Sequence, residues 1–141
     1  MEDARLTRLE MFQDERGKLV ALHGGREVPF AIQRTYFIFD VGPGFRRGFH
    51  AHFQEQQFLV CLRGRCEVTL DDGCTRSGFS LFNPREGLFV EKRTWIEMTA
   101  FSDDCLLLVL SSTVFDPDDY IDDYARFQQV LADTTAKGSM E

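Results

Sequence analysis

Short apolar segments, each cut off by a turn signal, follow one another from the start of the chain to about residue 112. Segments 19–22, 35–41, 57–62, 66–70, 79–82, 95–101 and 106–110 are rich in branched and aromatic side chains and read as strands. Asp72-Gly73, after Val68-Thr69-Leu70, is a hairpin signal, because glycine accepts the positive φ that a tight turn requires. Gly24-Gly25, Gly42-Pro43-Gly44, Arg63-Gly64 and Ser102-Asp103-Asp104 punctuate the rest. Many short strands without intervening helices predict an all-β fold, a jelly-roll antiparallel sandwich or barrel spanning about 5–112. The period changes near the C-terminus. Asp116-Pro117 supplies an N-cap and a first-turn proline, and Tyr120, Ile121, Tyr124, Phe127 and Leu131 recur at helical spacing. A short α-helix is therefore expected over about 117–131, with its apolar stripe on the barrel or a second subunit and both tyrosines as core contacts. The small polar residues 133–141 read as a flexible tail.

The chain has 141 residues, of which 43% are hydrophobic, enough for a single domain over 1–141 but not for two ordinary ones. Phenylalanine stands out at 14 copies beside one Trp and three Tyr, which argues for a well-packed interior or an aromatic-lined pocket. The net charge of −7 is unevenly spread. Residues 1–65 carry 10 Lys and Arg against 8 Asp and Glu, a balance of +2, whereas 66–141 carry 6 against 15, a balance of −9. Such a chain lacks the basic face that nucleic acid requires, although the arginines of its first half suit a small anionic ligand. No apolar run approaches the roughly 20 residues of a membrane span, and the polar start Met1-Glu-Asp-Ala-Arg predicts no secretory signal. A cytoplasmic location is expected. Cys61, Cys66, Cys74 and Cys105 include no C-x-x-C pair and read as small apolar residues.

The chemistry concentrates in Gly48-Phe49-His50-Ala51-His52. On a strand, positions i and i+2 share a face, so both imidazoles project together while Phe49, Ala51 and Phe53 point the other way. The spacing Gly48-x-His50-x-His52, then Gln57 and Gly64, resembles the first cupin motif, in which H-x-H and a downstream Glu are metal ligands. Gly78 and Pro84 reproduce the start of the second motif. Two departures matter: Gln57 occupies the Glu position, and no His follows Pro84. Two imidazoles alone make a poor site for a divalent ion, so no metal is expected. A histidine titrates near pH 6.5, which suits proton transfer without an ion. Tyr36, on the preceding strand, either faces the same interior or fills the core; spacing does not separate the two.

Arg47-Gly-Phe-His-Ala-His with Gln57, the block from Cys61 to Gly73, Trp95-Ile-Glu-Met, and Asp118-Asp-Tyr-Ile-Asp-Asp-Tyr124 together resemble the sugar-nucleotide 3,4-ketoisomerases. So do Asp14-Glu-Arg-Gly17 and Pro29-Phe-Ala-Ile-Gln-Arg34-Thr-Tyr36, and the likeness covers about residues 5–130. It implies a metal-free cupin, without cofactor, that converts dTDP-4-keto-6-deoxyglucose to its 3-keto isomer for deoxyamino sugars. It also implies a homodimer with exchanged N-terminal strands. Carried onto this chain, the resemblance makes His50, His52 and Tyr36 catalytic, and Arg16, Arg34, Arg47 and Gln57 substrate-binding. His50 is read as the base at C3 and His52, with Tyr36, as the group moving protons on the oxygens, with the reverse assignment open. A sugar-nucleotide 3,5-epimerase and a non-catalytic sugar-nucleotide-binding cupin are the alternatives.

Overall fold

The computed structural model describes residues 3–140, with side chains as far as Thr134. In chain order its strands are β1 (Leu6–Arg8), β2 (Phe12–Asp14), β3 (Gly17–Leu19), β4 (Arg34–Phe39), β5 (Arg47–His52) and β6 (Gln57–Arg63). They continue with β7 (Cys66–Asp71), β8 (Arg76–Leu81), β9 (Glu86–Val90), β10 (Trp95–Thr99), β11 (Leu106–Ser111) and β12 (Tyr120–Ile121). One antiparallel sheet has the order β1-β9-β6-β11-β4 and a second β12-β5-β10-β7-β8, while β2 and β3 form a hairpin of their own.

Alternation explains the layering. Ile38, Leu59, Leu88, Leu107 and Val109 from the first sheet meet Val68, Leu70, Phe79, Ile96 and Met98 from the second in one buried cluster. The all-β expectation holds, and the two sheets remain open layers rather than closing into a barrel. β6 is buried without a break from Gln57 to Cys61, because its sheet is covered on both faces. Leu9, Val28 and Phe30 of the N-terminal segment pack on the outer face against Phe58, Val60 and Leu110. Residues 20–22, expected as strand, belong to this covering segment, and the strand stops at Leu19. Cys61, Cys66 and Cys105 are buried and Cys74 is exposed in the β7–β8 turn, where Asp72-Gly73 lies as its composition predicts.

The C-terminal segment departs from expectation. Asp116 does cap a helix, accepting from the Asp118 N–H at 3.0 Å, but Pro117–Asp119 is a single 3₁₀ turn. Tyr120 and Ile121 then leave the helical path and pair with His52 and Ala51 of β5. Tertiary pairing outweighs local helix propensity here. The α-helix, α1, runs over Tyr124–Met140, with Asp123 accepting from the Arg126 N–H at 3.0 Å as its cap. Its Phe127 is fully buried against Ala51, Trp95 and Ile121 on the outer face of the second sheet. Residues 133–140, expected as a tail, continue the helix, and Glu141 lies outside the described residues.

Candidate active site

The site starts from an irregularity in β5. Gly48 (φ +83°) and Phe49 (φ +60°) both adopt left-handed backbone, and the register against β10 slips between Ile96 and Glu97. This is a bulge with Phe49 as the extra residue. A Cβ on Gly48 would stand 2.9 Å from the Ile96 carbonyl oxygen, so glycine is required at that point. Past the bulge, His50 lies opposite Ile96 and His52 opposite Tyr120. Phe49 and Phe53 pack with Ala51 on the cluster under α1, which leaves both imidazoles on the inner face. The rings of His50 and His52 stand edge to face at 4.8 Å, and Tyr120 touches both, at 5.0 and 4.5 Å between centroids.

His50 and Tyr120 face a cavity of about 380 Å³ lined also by Tyr36, Arg34, Arg47 and Phe115. His52 lies deeper, 4% exposed. Behind it, on the loop after β5, is a buried carboxylate. Glu55 accepts from Arg34 Nη2 at 3.1 Å, Thr113 Oγ1 at 3.0 Å and Gln57 Nε2 at 2.6 Å, and its Oε2 is 3.5 Å from His52 Nε2. Gln57 Nε2 also donates to the Tyr36 hydroxyl at 3.1 Å. Regular pleating would turn Glu55 away from the even-numbered histidines. β5 ends at His52, however, and the Asp119 carboxylate holds the following turn by accepting from the Gln54 and Glu55 N–H groups, so Glu55 swings inward.

These surroundings set the protonation states. Burial lowers His50 below the ordinary imidazole value, opposed by a hydrogen bond to the Gly48 backbone and by the charge of Glu55. His52 is pushed down to about 4, by burial above all, with His50 and Arg34 acting in the same direction and Glu55 and Asp119 against it. Burial, then the charge of Glu55, raises the Tyr36 phenol to about 12. At neutral pH the site thus holds two neutral imidazoles able to accept a proton, His50 at the cavity and His52 behind it, and a phenol able to donate one. The donor set does not suit a metal ion: a neutral amide, Gln57, stands where a carboxylate ligand would, and Glu55 already accepts from Arg34, Thr113 and Gln57. Among the described residues no three His, Cys, Asp or Glu side chains are grouped to hold one.

Of the residues singled out in the sequence, His50, His52, Tyr36, Gln57, Arg34 and Arg47 converge here. Arg34 and Gln57 are bound to Glu55, and Arg34 lies over the Tyr36 and Phe115 rings at 4.9 and 5.5 Å. Arg16 is not brought to this cavity. It sits exposed in the β2–β3 turn, ion-paired with Asp14 at 2.5 Å. Sequence reasoning set Glu55 aside, because regular pleating faces it away from the histidines, and assigned Tyr120 to the core. The signal for Tyr120 was its place in the Asp118–Tyr124 block; for Glu55 there was none beyond its being a carboxylate between His52 and Gln57.

Comparison with known proteins agrees with this geometry. The family model FdtA, described as WxcM-like, C-terminal, matches residues 2–132. A TDP-4-oxo-6-deoxy-alpha-D-glucose-3,4-oxoisomerase of Aneurinibacillus thermoaerophilus is 45% identical over 119 residues, 84% of this chain and 86% of its own. The crystal structure of a 3,4-ketoisomerase from Helicobacter canadensis superposes with a TM-score of 0.87 at 39% identity, covering 90% of this chain and 96% of the other. A sugar 3,4-ketoisomerase from Thermoanaerobacterium thermosaccharolyticum, crystallised in complex with TDP, gives 0.87 at 32% identity, with 92% and 94% covered. Matched over almost all of its length and at these identities, the chain belongs to the FdtA family, among the sugar-nucleotide 3,4-ketoisomerases.

Proposed function

We propose that this protein moves the keto group of dTDP-4-keto-6-deoxyglucose from C4 to C3, in deoxyamino-sugar biosynthesis. The observation that carries the reading is the pair of inward-facing imidazoles, with His50 beside Tyr36 at the cavity and His52 edge-on behind it. The C4 ketone acidifies the C3 proton. His50 removes it, giving an enediolate, and returns a proton to C4. His52 and Tyr36 carry one proton from the C3 oxygen to the C4 oxygen, so the exchange needs no net oxidant. Arg47 and Arg34, at the cavity wall, favour the diphosphate and the sugar oxygens, since a guanidinium binds both by paired hydrogen bonds. Gln57 acts on substrate through Tyr36, whose hydroxyl it holds with its own proton free to donate.

No helix among the described residues is long and apolar enough to cross a membrane, and we place the protein in the cytoplasm, where a nucleotide sugar is available. We also propose a homodimer that exchanges its N-terminal strands. Among the described residues the β2–β3 hairpin pairs with no other strand, and it exposes Phe12 and Leu19, which supports such an exchange and would carry Arg16 to the partner's cavity.

NMR of the product after incubation with dTDP-4-keto-6-deoxyglucose tests the reaction directly, and a 3-keto sugar nucleotide is expected. His50→Asn should lose C3 exchange with solvent deuterium by at least about 10²-fold while still binding TDP. Exchange at the native rate in that variant rules out His50 as the C3 base.

A further inference from the structure

One buried charged group has no part in the reaction as described. Glu55 is 3% exposed, and a carboxylate at that depth is costly unless it is well partnered. Arg34, Thr113 and Gln57 partner it, yet its Oε2 also faces His52 Nε2 at 3.5 Å. That nitrogen is itself buried and has no hydrogen-bond partner among the described residues. A carboxylate opposite a neutral imidazole nitrogen gains little. Once the imidazole takes up a proton, the same two atoms become a charge-assisted pair in a site of low dielectric.

We propose that Glu55 is a positioning residue for the isomerisation: it holds His52 in place and stabilises that ring as the imidazolium while it carries the proton from the C3 oxygen to the C4 oxygen. The inference rests on the proposed function. The path is continuous. Glu55 stands 3.5 Å from His52 Nε2 on the second sheet and accepts from Gln57, which donates to the Tyr36 hydroxyl on the first, so the two groups that serve the substrate oxygens share one support. Arg34 and Thr113 both donate to Glu55 Oε1, which leaves Oε2 to Gln57 and to the His52 ring. Other groups act on His52 as well. Asp119 favours the protonated ring, His50 and Arg34 disfavour it, and Tyr120 covers it edge-on. Glu55 is the carboxylate at ion-pair distance.

The test separates the two proton paths. With dTDP-4-keto-6-deoxyglucose, deuterium exchange at C3 reports the His50 step, and formation of the 3-keto product needs the oxygen-side transfer too. Glu55→Gln should lower kcat for product about 10–100-fold, with KM within about twofold and C3 exchange largely kept. Removing the negative charge also makes His52 harder to protonate, so the acid limb of the kcat profile should move to lower pH. Glu55→Asp, which keeps the charge but draws it back, should recover part of the loss. A purely structural role would lower exchange and product together and leave the profile in place. Native kcat and an unshifted profile in Glu55→Gln overturn the inference while leaving the function standing; absence of product from the native protein overturns the function instead. If neither variant folds, NMR of the native protein decides. The Glu55 carboxyl shift should respond as the His52 ring titrates, and independence of the two overturns the proposal.

Discussion

His50 and His52 lie two residues apart on one strand face, yet their environments differ enough to divide the work. His50 is half-buried at the cavity, whereas His52 is 4% exposed and backed by Glu55. The pH dependence follows with a definite sign. Because burial lowers His50, its neutral, basic form persists below the ordinary value of 6.5, so kcat/KM measured against pH should hold through 6.5 and fall only at lower pH. An acid limb above 6.5 would contradict this. His52 adds a stability effect of the same sense. Its folded value of about 4 lies below the unfolded 6.5, so the unfolded chain binds the extra proton first. Its contribution is complete above about 6.5 and is lost as pH falls through 4, and Tm should decline across that window. Alternation revealed His50 and His52, which both lie past the β5 bulge, and left the choice at Tyr36 of β4 open. Glu55 was hidden because it follows the strand end, where period-two reasoning no longer applies, and Tyr120 because it fits a helical stripe as well as a two-residue strand.

Elements were legible where the apolar run was long and buried, as in β6, β7, β10 and β11, and less so at the edges. β1 and β2 have three residues each, and β9 begins Glu86-Gly87, so none offers a run that stands out from a loop. The Asp116-Pro117 cap was a true local signal attached to the wrong element, since one 3₁₀ turn satisfies it before the chain rejoins β5. The β5 bulge is the element on which the site depends, and its weak point is Gly48. An alanine there combines left-handed backbone at φ +83° with a Cβ 2.9 Å from the Ile96 carbonyl oxygen. Left-handed backbone alone costs an L-residue about 1–2 kcal/mol, and the contact adds to it. Gly48→Ala should therefore lose about 2–3 kcal/mol in urea unfolding. Relief of the contact requires β5 to shift against β10, which moves His50, so turnover at a temperature where the variant is folded should fall further than the stability change accounts for. Native turnover in a folded Gly48→Ala protein would show that the bulge does not aim His50.

At the scale of the whole molecule, two sheets enclose the core and α1 and the N-terminal segment close their outer faces, but the β2–β3 hairpin covers nothing comparable. Phe12 and Leu19 lie opposite one another on it at 57% and 58% exposure, which is costly surface for a lone chain. The family resemblance implies Arg16 at the substrate, while a single chain keeps it out of the cavity that holds His50. Exchange of N-terminal strands reconciles the two, and it has a consequence that simple dimerisation lacks. In an exchanged dimer each site takes its histidines from one copy and Arg16 from the other. His50→Asn and Arg16→Ala proteins, each nearly inactive alone, should then regain activity when unfolded together and refolded as a mixture. Half of the dimers would be mixed, and each would contain one complete site, so recovery should approach about a quarter of the native rate. Arg16 serving its own chain's site predicts no recovery at all, because every complete set of residues would then be broken in both proteins. Sedimentation equilibrium on the same samples must show dimers, since a monomeric native protein removes the exchange altogether.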